Sequence, residues 1–353
     1  MQNRFVRRLF TFAALAGLTG AAACLDDDSP NLPQIQERLV VVVNSIDRTL
    51  SLVPRDGDAG VAIRTVGLGA QGTPVDVAVL GTTAVVPMGT YPFAAVVDLR
   101  TGTVRHNVPL PANSGATGVA FLNDTLAMVA NPGRNTVSTV RTVSGTAGPE
   151  IAVGTYPSAI TVAQNQVFIL NSNLVNFNPA GPGSITVLNS NLVVTKTIPL
   201  TGVNPVAAVA IGTRLYVLNS GSYSTPSGSL SVIDMTSLTE VEHRTGFGAA
   251  PTALEVGPGP VLFVGGYGLG VFAYDPFSNT FPISQAGAIK PGGSTAIADV
   301  EFDPEGRLLI SDYGSCTDRG FLYRLTGPST LDRTVRTGIC PVGMAFADIF
   351  EED

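Results

Sequence analysis

Side chains able to do chemistry are scarce in this chain. It holds two histidines, His106 and His243, and three cysteines, Cys24, Cys316 and Cys340. Both histidines fall in stretches that read as outer strands, Thr103-Val104-Arg105-His106 and Val241-Glu242-His243-Arg244, which puts them on a rim. Without a placed histidine a serine triad has no base, and zinc lacks its usual ligands. The run Gly265-Gly266-Tyr267-Gly268-Leu269-Gly270 lies between strands with no helix after it, so it is loop glycine and not a phosphate cradle. Carboxylates remain. Asp76 and Asp299 occupy the same position of a repeated pattern, and with Glu301 and Asp312 they are the set from which a calcium site would be drawn, because calcium takes oxygen ligands. No catalytic residue and no cofactor is expected.

That pattern is a repeat running from Glu37 to the end of the chain. Apolar strands end at Asn44, Pro87, Asn131, Asn171, Asn219, Gly265 and Asp312, roughly 40 to 48 residues apart. A second landmark is a turn leading into P-x-x-apolar-x-apolar, anchored at Pro74, Ala116, Pro157, Pro205, Pro251, Ile297 and Pro341 at similar intervals. Both landmarks occur seven times. A period in the forties with several short strands per unit predicts an all-β, seven-bladed propeller of four-stranded antiparallel blades. The first unit starts at its second strand, Leu39 to Val43, and the chain ends on a spare inner strand from Pro341 to Phe346. Closure is therefore expected by pairing the C-terminal strand into the first blade, which removes the exposed edge of the ring. Turns after third strands open with Asp98, Asp234 and Asp275, which should accept from backbone N–H groups two residues on.

Asn135-Thr136-Val137-Ser138, Ser231-Val232-Ile233-Asp234, Val153-Gly154-Thr155-Tyr156-Pro157 and Pro74-Val75-Asp76-Val77-Ala78-Val79 resemble the YVTN-type repeat of bacterial seven-bladed propellers. The resemblance covers residues 37–353, although the units anchored at Ala116 and Ile297 lack the proline. It implies the fold and leaves activity open, since that family spans binding scaffolds and enzyme subunits. The chain has no Trp, unlike WD40 repeats.

The N-terminus reads as a targeting segment. Arg4, Arg7 and Arg8 precede an apolar run from Leu9 to Leu18, too short for a membrane span. Ala21-Ala22-Ala23-Cys24 resembles a lipobox, so residues 1–23 are expected to be a signal peptide and Cys24 the site of lipid attachment. Residues 24–36, with Asp26-Asp27-Asp28, Pro30 and Pro33, read as an acidic tether. Export to the cell envelope follows, with the outer membrane as the expected destination. In that compartment disulfides persist, and Cys316 and Cys340 fall on loops of one face. They are expected to be bridged, with two separate thiols as the alternative.

The chain carries 27 acidic and 20 basic residues, for a net charge of -7, which argues against nucleic acid as a partner. Charged residues are only 13% of the total, while Gly and Pro number 39 and 25, a composition suited to turns and packed strands. Propellers present ligands to the face where the loops after the second strands meet the turns before each anchor. The candidate residues there are Tyr91, Asn131, Arg134, Asn171, Asn173, Asn176, Asn219, Tyr223, Tyr267, Asp312 and Tyr313. Asn, Ser and Tyr on rigid loops suit polar recognition of an envelope protein or glycan, with the membrane engaged through the lipid anchor. The expected function is a non-enzymatic binding scaffold. The alternative is a propeller enzyme, lactonase-like or quinoprotein-type, with a metal or cofactor at the channel mouth.

Overall fold

The computed structural model describes residues 34–57, 62–223, 225–327 and 329–351. The expected signal peptide, the lipid site at Cys24 and the tether as far as Pro33 lie outside the described residues. Among those residues the chain forms seven four-stranded antiparallel sheets, with two single-turn 3-10 helices and one small extra ribbon. No helix among them is long and apolar enough to cross a membrane.

The innermost strands of blades 2 to 7 are Ala78–Leu80, Val119–Asn123, Pro157–Ala163, Pro205–Ile211, Ala253–Val256 and Ile297–Phe302. Each is followed by three strands running outward in sequence order, apart from blade 4, where the ribbon Leu174–Val175 with Asn178–Pro179 intervenes after the second strand. Blade 1 closes the ring. Its second, third and outer strands are Ile35–Asn44, Thr49–Pro54 and Arg64–Gly67, and its inner strand is the C-terminal Pro341–Phe350. The register runs from Asn44 opposite Pro341 to Ile35 opposite Phe350. The first strand thus begins at Ile35, inside the stretch read as tether, because Ile35 and Glu37 find partners on the closing strand.

Hydrophobic burial between blades explains the unbroken apolar runs. In Leu39-Val40-Val41-Val42-Val43, the odd-numbered residues pack against blade 2 and the even-numbered ones against blade 7. Both faces are covered, so alternation disappears and every residue of the run is buried. Seven such clusters sit one per seam. The expected turn chemistry is present: Asp98, Asp234 and Asp275 accept from the N–H of Arg100, Thr236 and Phe277 at 2.9, 2.9 and 2.8 Å.

Cys316 and Cys340 are joined in a disulfide with a Cα–Cα distance of 4.4 Å. It ties the second loop of blade 7 to the turn that feeds the closing strand. At the other end of the same seam the buried Arg55 guanidinium meets Glu305 at 3.1 Å and Asp348 at 2.9 Å. The chain discontinuity lies inside blade 1, between its inner and second strands; Arg55 reaches across it to Asp348, and the disulfide and the Arg55 pairs brace the two ends of the adjoining seam.

Candidate functional site

The inner strands of all seven blades line a central channel of about 410 Å³. Asp76, Glu255, Asp299 and Glu301 face into it, from blades 2, 6 and 7. Asp76 accepts from Val77 N–H at 2.8 Å and from Val119 N–H of the next blade at 3.0 Å. Asp299 repeats the arrangement with Val300 and with Met344 of blade 1, both at 2.9 Å. The aligned pair thus latches each inner strand to its neighbour. Burial pushes the Asp76 carboxyl up from its ordinary value, against the two amides that oppose the rise. Burial likewise raises Asp299 to about 7, with its amide partners opposing and the Asp76 and Glu255 charges adding. Glu255 also rises to about 7 through burial, and Glu301 is held well above its ordinary value by burial and then by its acidic neighbours.

Asp312 does not join this set. It is buried at the end of a second strand, where it accepts from Gly314 N–H at 2.8 Å and holds the Tyr323 hydroxyl. Position on the second strand, one removed from the channel, is the physical reason. Among the described residues no group of three or more His, Cys, Asp or Glu is arranged to hold a metal ion. Glu255 was missed in the sequence, although it stands four residues after Pro251 as Glu301 stands four after Ile297.

On one face of the ring, the loops after the second strands are laced to the turns before the inner strands. Ser172 N–H donates to Tyr156 O at 2.9 Å, Ser220 to Asn204 at 2.8 Å and Gly268 to Thr295 at 2.8 Å. Tyr91, Tyr223 and Tyr267 are exposed there, at 44%, 53% and 66%. Tyr267 stacks on Tyr313 with ring centroids 6.1 Å apart and planes within 12°. The Tyr223 hydroxyl accepts from Asn204 Nδ2 at 3.3 Å. Asn176 is exposed at the tip of the blade 4 ribbon, and Asn173 ties the ribbon base through Nδ2 to Pro182 O at 3.0 Å. Arg134 is exposed but forms a two-pronged pair with Glu150 at 2.7 and 2.8 Å, so its charge is locally matched.

Asn131, Asn171 and Asn219 are corrections to the expected face. All three are fully buried, and their Nδ2 groups donate inward to Ser138, Thr186 and Ser231 of the third strands at 2.9, 3.0 and 2.9 Å. Asn44 does the same to Ser51 at 2.9 Å. The repeated Asn is a rung between second and third strands, and it presents nothing to solvent. Two residues of the face escaped the sequence reading. Phe177 shares the ribbon tip with Asn176, and Tyr156 lies edge-on to it at 6.2 Å. Each sits beside a recognised landmark, and only the fold shows that they meet. The two histidines lie on outer strands, His106 in Thr103–Pro109 and His243 in Thr239–Thr245.

No family model matches the sequence, and no curated protein matches it. Solved structures do. The chain is similar to hydrazine synthase of Kuenenia stuttgartiensis, with TM-score 0.62 and 16% identity over 82% of this chain and 92% of that one. It is also similar to the WD40 β-propeller domain of Doa1, with TM-score 0.56 and 11% identity over 79% and 89%. At these identities the likeness is one of fold, and the class it defines is the seven-bladed β-propeller.

Proposed function

We propose that this protein is a lipid-anchored propeller of the YVTN-repeat type that acts as a non-enzymatic binding scaffold in the bacterial cell envelope. The observation that carries the reading is the laced loop face, from which Tyr91, Tyr223 and Tyr267 project on rigid supports. Binding residues on loops held by a rigid frame lose little freedom when a partner docks. Both ends of the ring, Ile35 and Phe350, lie on the opposite face, because the strands they terminate run up to Asn44 and down from Pro341. A tether from Cys24 would leave by that opposite face and turn the aromatic loops away from the membrane. The carboxylates of the channel also support a scaffold: the oxygens of Asp76 and Asp299 are already committed to backbone amides.

A photo-crosslinking residue at Tyr267 should give adducts in the native envelope, whereas the same residue at Phe277, exposed on the opposite face, should not. Equal labelling from both positions would refute the proposed face. Turnover of a lactone or quinone-linked substrate, abolished by chelation, would refute the scaffold reading in favour of an enzyme.

A further inference from the structure

Charge divides the two faces of this ring. Across blades 4 to 6 the loops 171–183, 219–229 and 265–270 contain no Asp, Glu, Lys or Arg, and neither do the turns 153–157, 200–205 and 246–252. The opposite face of the same blades carries the ion pair of Arg214 with Asp234, while Arg244 pairs with Glu242 on the outer strand of blade 5. A chain with 47 formally charged side chains places none in these segments of the sector, and those that border them stand at the edges: Glu240 accepts from Thr201 N–H and Oγ1 at 2.8 Å, and the Lys290 side chain lies against Gly270.

Within that sector the backbone holds an aromatic residue against its own preference. The blade 4 ribbon turns through Asn176 and Phe177, with φ 50° and 62°. The flanking Val175 and Asn178 pair directly, so this is a two-residue hairpin turn with both central residues left-handed. The second position is normally glycine. A side chain there is strained against the following carbonyl, and Phe177 offsets little of that by burial, since it remains 73% exposed. Its ring meets Tyr156, itself at φ 56°. Tyr156 is close enough to Tyr223 that the second phenol adds to the upward push that burial exerts on the first. One blade further on stands the exposed Tyr267.

We propose that this charge-poor sector binds an uncharged polysaccharide, with Phe177, Tyr156, Tyr223 and Tyr267 as stacking platforms and the intervening Asn and Ser groups as hydroxyl partners. The inference rests on the scaffold reading above. The C–H face of a sugar ring carries partial positive charge and is drawn to the negative face of an aromatic ring. Sugar hydroxyls both donate and accept, as do the Asn amides and Ser hydroxyls exposed here. About a quarter of the residues in a typical protein are charged, and a protein partner would have to desolvate such groups against a surface that offers few counter-charges. A neutral glycan avoids that penalty. Platforms spread over three blades also match an extended polymer better than a single compact ligand.

The test uses the full-length protein with mixed-linkage β-glucan, galactomannan and dextran as neutral probes and alginate as the anionic one, at about 50 mM and 1 M NaCl, a range in which exposed charges become largely screened. Expected is binding to at least one neutral glycan, unchanged by salt. Phe177→Gly should weaken it tenfold or more while leaving thermal stability equal or higher, because glycine relieves the turn. Tyr267→Ala is the second variant, free of any effect on that turn. Binding to alginate alone, lost in high salt, would overturn the proposal. So would neutral binding that neither variant weakens. Protein adducts at Tyr267 without neutral-glycan binding would overturn the glycan and leave the scaffold reading standing; absence of adducts as well would remove both.

Discussion

Glu255 and Asp299 have pKa values of about 7 in the folded channel, driven up first by burial, against ordinary values of 4.5 and 3.8. The folded state therefore holds protons that the unfolded state has released across that interval. The stabilisation is fully present below the unfolded values and is lost as pH rises through about 7. Among the described residues no Lys or Arg lines the channel to reverse the sign. The urea midpoint should accordingly be higher near pH 5.5 than near pH 8. Glu255→Gln should raise the pH 8 value and flatten the slope, since it removes one of the crowded charges. A midpoint that climbs across this window would show that the channel carboxylates are not protonated as their burial implies. At this scale the sequence revealed that Asp76 and Asp299 are equivalent. It could not reveal that each spends both oxygens on amides, because one of those amides belongs to a different blade.

Strand ends explain a second piece of the repeat. The Gly of V-G-x-x-P, represented by Gly154 and by Gly202 and Gly338 at equivalent places, lies directly over the Asn that ends a second strand. A Cβ built on Gly202 would stand 2.1 Å from Asn219 Cγ, and on Gly154 or Gly338 it would stand 2.6 Å from Asn171 or Asn44. Glycine is required there by contact, and the Asn rung and the Gly are one device. Gly202→Ala should destabilise by about 1–3 kcal/mol through overpacking, read as a lower urea midpoint. Adding Asn219→Ala should recover part of that loss, because the two positions are in contact and their effects are not additive. Spacing alone marked the Asn as a landmark and suggested it as a candidate ligand group. The third-strand hydroxyls of Ser138, Thr186 and Ser231 turn it inward, and these become its neighbours only once the sheet pairs.

For the molecule as a whole, blade 1 differs from the other six in having no chain connection between its inner and second strands. Blade 1 is assembled from both ends of the sequence, and the Ile35–Asn44 strand would be a bare edge without Pro341–Phe350. The Cys316–Cys340 bond closes a loop with a sequence separation of 24 at the upper end of the seam between blades 7 and 1, and the Arg55 network braces its lower end. In the chain-entropy picture a loop of this size stabilises by roughly 3 kcal/mol. Reduction should lower the unfolding free energy by about that amount, and the seam should be where amide exchange accelerates first. Unchanged stability on reduction would mean that strand pairing and the buried arginine carry closure without help from the disulfide.

The sequence by itself determined the architecture: two seven-fold landmarks, turn residues at fixed offsets and a missing first strand matched by a spare last one. Those features are local or periodic, so they survive in one dimension. What the tertiary structure decided is which residues meet. It turned Asn131, Asn171 and Asn219 inward, withdrew Asp312 from the channel, added Glu255 to it and brought Phe177 to Tyr156. Each of those outcomes depends on a strand, loop or blade that becomes a neighbour only once the sheets pair and the ring closes, and a repeat pattern read along the chain carries no information about which side chains then meet.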